Sequence, residues 1–389
     1  MRDPSLSLPD PPRELAELSR ELCTTLVEAI ESGGPMPFSE FMERALYAPG
    51  LGYYVNGLHK FGAAGDFVTA PEQGTLFAAS LARALDPVTD SLGPGWTLLE
   101  AGPGSGALAR DLLAQLERPP GRCLLLERSA ALREVQHETL AELPGGLRER
   151  IEWIDAPPGR PFDGVVLANE VLDALPVARF RMTDRGPREL AVTVENGRFA
   201  WTTWKAGDRL AAALDHVLGD LPHDLPVGYE SEVCPDLPGW VDAVCAPLRR
   251  GCAMFVDYGY PRREYYLPER SGGTLVCHYR HRAHFDPFAW PGLTDLSAFV
   301  DFTALAEAGL AAGLELDGFT TQAGLVLGSG VAERLEGGMP DDRRLRLAGE
   351  LKRLVLPGEM GEKFKAMAFR RGDASAPDGF ALPDLSGRL

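Results

Sequence analysis

Two spacings of apolar side chains divide the chain into predicted helices and strands. From Pro12 to Glu31 they recur every three or four positions, which predicts an amphipathic helix that ends at a Gly-Gly-Pro cluster. A second helix is predicted from Ser39. Between 96 and 169, four short apolar runs alternate with helical stretches. This β-α-β-α-β rhythm predicts an α/β fold whose parallel sheet is covered on both faces.

The pattern changes after Phe180. Two alternating runs are joined by Glu195-Asn196-Gly197, which predicts a hairpin inside an antiparallel insertion. A buried strand returns at 251–260, whereas 261–300 has the composition of a loop rich in Arg, His and aromatic residues. A further helix and a last strand follow, and the tail from Asp373 has little core-forming content.

Composition and charge narrow the class of protein. The 389 residues are 45% hydrophobic and 24% charged, which is ordinary for a globular chain. With 39 Lys and Arg against 56 Asp and Glu, the net charge is −17, which argues against nucleic acid as a partner. No apolar stretch is long enough to predict a membrane span. Six irregularly spaced cysteines and an N-terminus without an apolar signal core predict a cytoplasmic protein.

The strongest local signal is a glycine-rich turn between the first buried strand and its helix, Glu100-Ala101-Gly102-Pro103-Gly104-Ser105-Gly106. Glycines there let the backbone approach a ligand, and Glu127, which ends the next strand, can accept hydrogen bonds from both hydroxyls of a ribose. Three interpretations stay open at this point. Gly102-x-Gly104-x-x-Ala107 matches a dinucleotide pattern, E-x-G-x-G-x-G matches S-adenosylmethionine (SAM) enzymes and is favoured, and a turn without ligand is the third.

Acidic side chains follow the later strands at the edge where doubly wound sheets bind ligands. Asp155 could meet an adenine amino group, or be a solvated turn residue. Asn169, Glu170 and Asp173 follow the fourth strand. If 170–173 is a first helical turn, the two carboxylates share a face, where they could grip a guanidinium or act as a base. The alternative is a helix start stabilised by acids.

These segments together resemble the MidA-like SAM-dependent methyltransferase family. The resemblance covers about 34–370 and is carried by an ordered set of motifs: FSEFMERALYAPGLGYY, GDFVTAPE, LLEAGPGSG, NEVLDALPV, VDYGY, GTLVCHYRHRAH and PGLTDLSAFVDFT. It implies a class I methyltransferase core, a doubly wound Rossmann-like sheet with an N-terminal helical and lid segment and an antiparallel insertion. It also implies that SAM binds the glycine loop, with Gly65, Asp66 and Thr69 in a segment over it.

The resemblance further implies methylation of arginine in a partner protein, with a respiratory-complex subunit as one candidate. Two alternatives are a SAM-binding assembly chaperone with little turnover and a nicotinamide-dependent oxidoreductase. Asp257, Tyr258 and His281 are assigned to a substrate groove, although Asp257 could equally be a strand cap. The histidines at 278, 281 and 284 are interpreted as a polar groove wall rather than a metal site.

The expected organisation has five consecutive parts along the chain. They are a helical segment with the cofactor lid (1–75), the SAM-binding core (76–185), an antiparallel insertion with helices (186–250), the rest of the core sheet with substrate-groove loops (251–372) and a loose tail (373–389).

Overall fold

The computed structural model describes residues 8–57, 69–335 and 339–389. The helices are α1 (Arg13–Gly33), α2 (Phe38–Tyr47), α3 (Leu76–Leu92), α4 (Ala107–Gln115), α5 (Ala130–Leu140), α6 (Gly145–Arg148), α7 (Asp208–Asp220), α8 (Leu237–Cys245), α9 (Arg262–Tyr265), α10 (Phe302–Ala311), α11 (Gln322–Gly328) and α12 (Asp341–Val355). Short 3-10 helices span Ala70–Gln73, Leu172–Ala174, Val331–Leu335 and Ser386–Arg388.

Sixteen strands accompany these helices in the described residues. They are β1 (Met36–Pro37), β2 (Thr97–Ala101), β3 (Arg122–Leu126), β4 (Ile151–Ile154), β5 (Phe162–Asn169), β6 (Ala178–Thr183), β7 (Gly186–Glu195), β8 (Arg198–Trp204), β9 (Glu230–Val233), β10 (Leu248–Tyr260), β11 (Val276–Tyr279), β12 (Arg282–His284), β13 (Asp295–Ser297), β14 (Val300–Asp301), β15 (Glu315–Thr321) and β16 (Phe364–Arg371).

The chain forms two compact units that interleave along the sequence. The first unit comprises 1–67, 173–236 and 262–299, and the second comprises 68–172, 237–261 and 300–389. This differs from the five consecutive parts expected from sequence. The physical reason is that strands distant along the chain pair with each other, so compactness does not follow chain order.

The second unit contains an eight-stranded sheet in the order β15-β16-β10-β5-β2-β3-β4, with β14 beside β10. The neighbouring strands β10, β5, β2, β3 and β4 are parallel to one another, whereas β16 runs antiparallel to both β10 and β15. All five residues of β2 are buried, as expected for the centre of a sheet covered on both faces. The predicted doubly wound core is therefore confirmed.

The first unit is built on an antiparallel sheet. Its order is β1-β7-β6-β9, with β8 paired to β7 through the predicted hairpin. Asn196 and Gly197 both have positive φ, 52° and 72°, as a two-residue hairpin turn requires. Leu22, Leu26 and Ile30 of α1 are buried in this unit's own apolar cluster. The predicted antiparallel insertion is thus the framework of a separate unit.

Two expectations about irregular segments were wrong. The region 261–300 contains a three-stranded sheet, β12-β11-β13, because alternate residues of β11 bury their side chains despite the polar composition. The tail is also packed: Ala374 and Phe380 are buried, and the Leu385 N–H donates to the Phe319 carbonyl at 2.7 Å. A few apolar anchors order a segment that its average composition describes as loose.

Candidate cofactor and active site

Four neighbouring strands of the second unit end at the same level. Ala101 of β2 pairs with Leu126 of β3 and with Ala168 of β5. Leu126 in turn pairs with Ile154 of β4. Residues that directly follow these pairs therefore lie along one edge of the sheet: Gly102, Glu127, Asp155 and Asn169. This is the carboxyl edge of parallel strands, where open α/β sheets bind ligands.

The glycine loop needs glycine at three positions. Gly102, Gly104 and Gly106 have φ values of 64°, 55° and 83°, a region that side chains with a Cβ rarely adopt. A Cβ at Gly102 would also lie 2.7 Å from a methyl carbon of Val171. Pro103 is buried between them. The pattern noticed in the sequence therefore reflects a real backbone requirement.

Glu100 is a carboxylate buried in the middle of the sheet, with only 2% of its surface exposed. Its Oε2 atom has no hydrogen-bond partner within the described ranges. Burial raises the pKa of Glu100 to about 8. A buried acceptor without a partner is unfavourable, so this position is suited to a ligand that brings a cation.

Glu127 presents a carboxylate that is already oriented by the protein. Its Oε1 accepts from the Ser129 N–H at 2.7 Å, and its Oε2 accepts from Gln136 Nε2 at 3.2 Å. Burial raises the pKa of Glu127, while the Ser129 hydrogen bond opposes that rise. A carboxylate oxygen can accept more than one hydrogen bond, so a ribose hydroxyl can bind this oriented carboxylate as well.

A 3-10 helix, Ala70–Gln73, precedes α3 in the chain and is hydrogen-bonded to residues at this edge of the sheet. Glu72 accepts a hydrogen bond from the Ser105 hydroxyl in the glycine loop. The Ala70 N–H donates to Glu170 Oε1 at 3.4 Å. Thr69 is buried directly before this helix. Gly65 and Asp66, predicted to cover the cofactor, lie outside the described residues.

Asn169 is the last residue of the neighbouring strand β5, and Glu170 follows it. Glu170 has φ of 54°, a conformation that costs a non-glycine residue free energy and often marks a functional position. Asn169 Nδ2 donates to Glu170 Oε1 at 3.1 Å. The helical turn considered for 170–173 is not formed, because Glu170 is left-handed and only a 3-10 turn follows at 172–174.

Asp257 holds the segment that follows Glu170. The side chain is fully buried, and its Oδ2 accepts from the N–H groups of Val171 and Leu172 at 3.1 and 2.9 Å. Its Oδ1 accepts from the Tyr258 N–H at 2.9 Å. These contacts suit a residue that positions the backbone, and the Tyr258 ring packs against Phe364.

Two other predicted site residues belong to the first unit. Asp173 is 8% exposed, and its carbonyl accepts from the Ala298 N–H at 3.0 Å. His281 is exposed at the tip of the β11–β12 hairpin, where it and Arg280 both have positive φ. The side chain of Asp155 is exposed. In the part of the chain that the structure describes, no group of three or more His, Cys, Asp or Glu side chains is arranged to hold a metal ion.

Sequence reasoning missed Gln136. It is fully buried in α5 and donates from Nε2 to the Gly104 carbonyl at 2.8 Å as well as to Glu127. The signal was present, since Gln136 lies midway between Leu132 and Leu140 on the buried face of the helix. A polar residue on such a face indicates a specific hydrogen-bonding role.

The residues present fit SAM. The Glu100 carboxylate, whose Oε2 has no partner among the described residues, matches the cationic methionine portion, and the oriented carboxylate of Glu127 matches the ribose. The positive-φ glycines between them let a ligand approach the backbone closely. Fold and site together therefore define the class of SAM-binding enzymes with a Rossmann-like core.

Comparison with known proteins identifies the family. Residues 80–320 match the model of a family described as "Putative S-adenosyl-L-methionine-dependent methyltransferase", and the chain belongs to that family. The mouse mitochondrial protein arginine methyltransferase NDUFAF7 is 29% identical, with 88% of this chain and 83% of the relative covered. The Xenopus tropicalis protein of the same name is 30% identical, with 72% and 69% covered.

Solved structures agree with this family. A crystal structure from Burkholderia thailandensis with S-adenosyl-homocysteine bound is 42% identical and has a TM-score of 0.92. The alignment covers 98% of this chain and 100% of that one. A native crystal structure from the same organism has a TM-score of 0.89 at 42% identity. The protein is a SAM-dependent methyltransferase, and the dinucleotide interpretation of the glycine loop is not supported. In the described ranges, no helix is both long and apolar enough to cross a membrane.

Proposed function

We propose that this methyltransferase transfers its methyl group to arginine side chains of a partner protein. The observation that carries the proposal is that relatives named protein arginine methyltransferases, 28–30% identical, align with 72–94% of this chain. The alignment with the mouse relative alone includes 83% of that protein. Conservation over that length favours a shared acceptor chemistry as well as a shared cofactor.

The strand ends of the second unit offer a suitable acceptor side. Bound SAM supplies an electrophilic methyl group on a sulfonium. Glu170 follows β5, directly beside the β2 strand that leads into the glycine loop. A carboxylate there would localise the charge of a guanidinium and accept the proton that the methylated nitrogen releases. Asn169 orients that carboxylate through the contact at 3.1 Å.

The test uses the purified full chain, SAM labelled in its methyl group, and a protein extract depleted of small molecules. We expect label in methylarginine after acid hydrolysis of the protein fraction, with mass spectrometry locating the modified peptides. Label in lysine, histidine or small molecules only would contradict the arginine assignment. SAM binding without turnover on any extract would favour the assembly-chaperone alternative.

Glu170→Gln keeps the size of the side chain and removes its charge. We expect methyl transfer to fall by about two orders of magnitude or more, the usual scale for loss of a base or positioning group, with SAM affinity within a few-fold. Asp173→Asn, measured separately, tests the catalytic assignment of that residue with the same expectation. The control is Asp163→Asn on the same strand, whose carboxylate pairs with the exposed Arg249. Normal turnover in Glu170→Gln would return Glu170 to a structural role.

The partner and the location are parts of the same proposal. The family resemblance nominates a respiratory-complex subunit as the protein substrate, and the six irregularly spaced cysteines favour a cytoplasmic location in a bacterium. The peptides identified by mass spectrometry test the first point. Fractionation of cells that express the protein tests the second.

A further inference from the structure

Gln136 is an amide side chain buried where an apolar residue would be expected. Its exposed fraction is 0%, and its neighbours on the same face of α5 are Leu132 and Leu140. Burying an amide is unfavourable unless its polar atoms are hydrogen-bonded. The Gln136 side chain therefore requires hydrogen-bond partners that offset the cost of its burial.

Both polar atoms of Gln136 have partners. Nε2 donates to the Gly104 carbonyl at 2.8 Å and to Glu127 Oε2 at 3.2 Å. Oε1 accepts from the indole N–H of Trp153 at 2.8 Å. One side chain thus joins three parts of the second unit: the glycine loop, the end of β3 and strand β4.

The contact with Glu127 completes the orientation of that carboxylate. Ser129 N–H binds the other carboxylate oxygen at 2.7 Å, so both oxygens are held. The backbone carbonyl of Glu127 accepts from Arg133 Nε at 2.8 Å, which fixes the main chain as well. A carboxylate held at both oxygens loses little freedom when a ligand binds, and such preorganisation increases affinity.

We infer that Gln136 is a positioning residue for the cofactor: it holds the Glu127 carboxylate in the orientation that receives the ribose hydroxyls and links it to Gly104. This inference rests on the assignment of Glu127 to the ribose and is independent of the acceptor. A purely structural glutamine would lower stability and weaken every cofactor analogue to the same extent. A glutamine that acts through Glu127 weakens only ligands that have the hydroxyls.

The test compares two ligands by titration calorimetry, S-adenosylhomocysteine and its analogue without ribose hydroxyls. Gln136→Met keeps the approximate length and volume and removes the amide. We expect about a tenfold loss of affinity for the first ligand, the scale of one hydrogen bond to a charged group, and less than about a twofold change for the second. Equal losses for both ligands would overturn the inference. If Gln136→Met does not fold, Gln136→Asn, which is shorter by one methylene, takes its place.

Two further variants separate the premise from the inference. Glu127→Ala should weaken S-adenosylhomocysteine selectively, and adding Gln136→Met to it should cost little more, because both act on one contact. Unchanged affinity in Glu127→Ala would refute the ribose assignment and the inference with it. Trp153→Phe removes the third hydrogen bond of Gln136 but keeps the link to Glu127. It should leave the ratio of the two affinities unchanged, and a ratio altered as much as in Gln136→Met would point to general loosening and overturn the proposed role.

Discussion

The carboxyl edge of the parallel sheet has two halves, and each contains a buried carboxylate with a different set of hydrogen-bond partners. In the cofactor half, at the ends of β2 and β3, Glu100 is buried with an oxygen that lacks a partner among the described residues. In the half that we propose for the acceptor, at the ends of β5 and β10 and called the acceptor half below, Asp257 accepts three backbone N–H groups. Glu100 therefore retains acceptor capacity for a ligand, whereas Asp257 uses its acceptor capacity to shape a loop.

Backbone conformation follows the same division. The cofactor half places positive φ on Gly102, Gly104 and Gly106, where it costs little. The acceptor half places it on Glu170, the residue that we propose contacts the acceptor, where the conformation is unfavourable. Glu100, whose Oε2 lacks a partner among the described residues, and Glu170, whose backbone is strained, are therefore better candidates for direct contact with a ligand than Asp257, whose carboxylate supports a loop.

Two expected effects are the largest, and the first is the loss of the cofactor in Gly104→Val. A β-branched residue at φ of 55° is strongly disfavoured, so we expect the turn to lose the backbone conformation that lets the cofactor approach. SAM affinity should fall by more than about a hundredfold, or about 2.7 kcal/mol, in a titration. Gly93→Val is the control, because Gly93 also has positive φ, 75°, and a Cβ there meets nothing within 4 Å. An affinity loss as large in Gly93→Val would show that strain alone is responsible.

Asp257→Ala should destabilise the segment that follows β5 in the acceptor half. Three N–H groups would lose a charged acceptor in a buried place, so we expect the free energy of unfolding to fall by about 3 kcal/mol or more. Chemical denaturation measures this. Asp163→Asn, which weakens an exposed pair with Arg249, should cost less than about 1 kcal/mol. Similar losses in the two variants would contradict the supporting role of Asp257.

Glu100→Gln should have the opposite profile to Asp257→Ala. The carboxylate has no protein partner on Oε2 within the described ranges, so its removal should leave the free energy of unfolding unchanged or slightly higher. SAM affinity should fall by about 1.5–3 kcal/mol, the scale of a hydrogen bond between charged groups. Titration and denaturation of the same preparation test both expectations. A large stability loss without an affinity loss would show that Glu100 supports the fold, as Asp257 does, and does not contact the cofactor.

The pH dependence of SAM binding sharpens the assignment of Glu100. Burial raises the pKa of Glu100 to about 8, so the free protein holds a proton there at neutral pH. A bound ammonium favours the carboxylate, so binding releases that proton. Affinity should rise with pH by up to about tenfold per unit and level off near the pKa of the free protein. Calorimetry in buffers of different ionisation enthalpy measures the proton release, and Glu100→Gln should abolish this contribution.

The smallest expected effect concerns the strain at Glu170. Glycine adopts positive φ without penalty, so Glu170→Gly should be more stable than Glu170→Ala by about 1 kcal/mol. Comparing these two variants removes the contribution of the lost side chain from the difference. Thermal or chemical unfolding provides the measurement. If the alanine variant is the more stable, the strained conformation is not a property of the protein in solution.

Much of the cofactor half could be predicted from sequence because its signals are local. Each signal spans only a few residues of the chain: the apolar run of β2, the glycines after it and the acid at the end of β3. The contacts of the acceptor half could not be predicted from local sequence. Asp257 binds N–H groups that lie 85 and 86 residues earlier in the chain, so its role as a support depends on the pairing of β5 with β10.

The parallel core, the cofactor turn and the antiparallel hairpin follow from local sequence patterns, since apolar periodicity and glycine spacing act over short distances. Three features instead depend on tertiary contacts: 173–236 and 262–299 join the N-terminal segment in one unit, β11 to β13 form a sheet, and Gln136 reaches Gly104 and Glu127. Hydrogen bonds between distant segments depend on where folding brings each donor and acceptor, and no local pattern specifies that position.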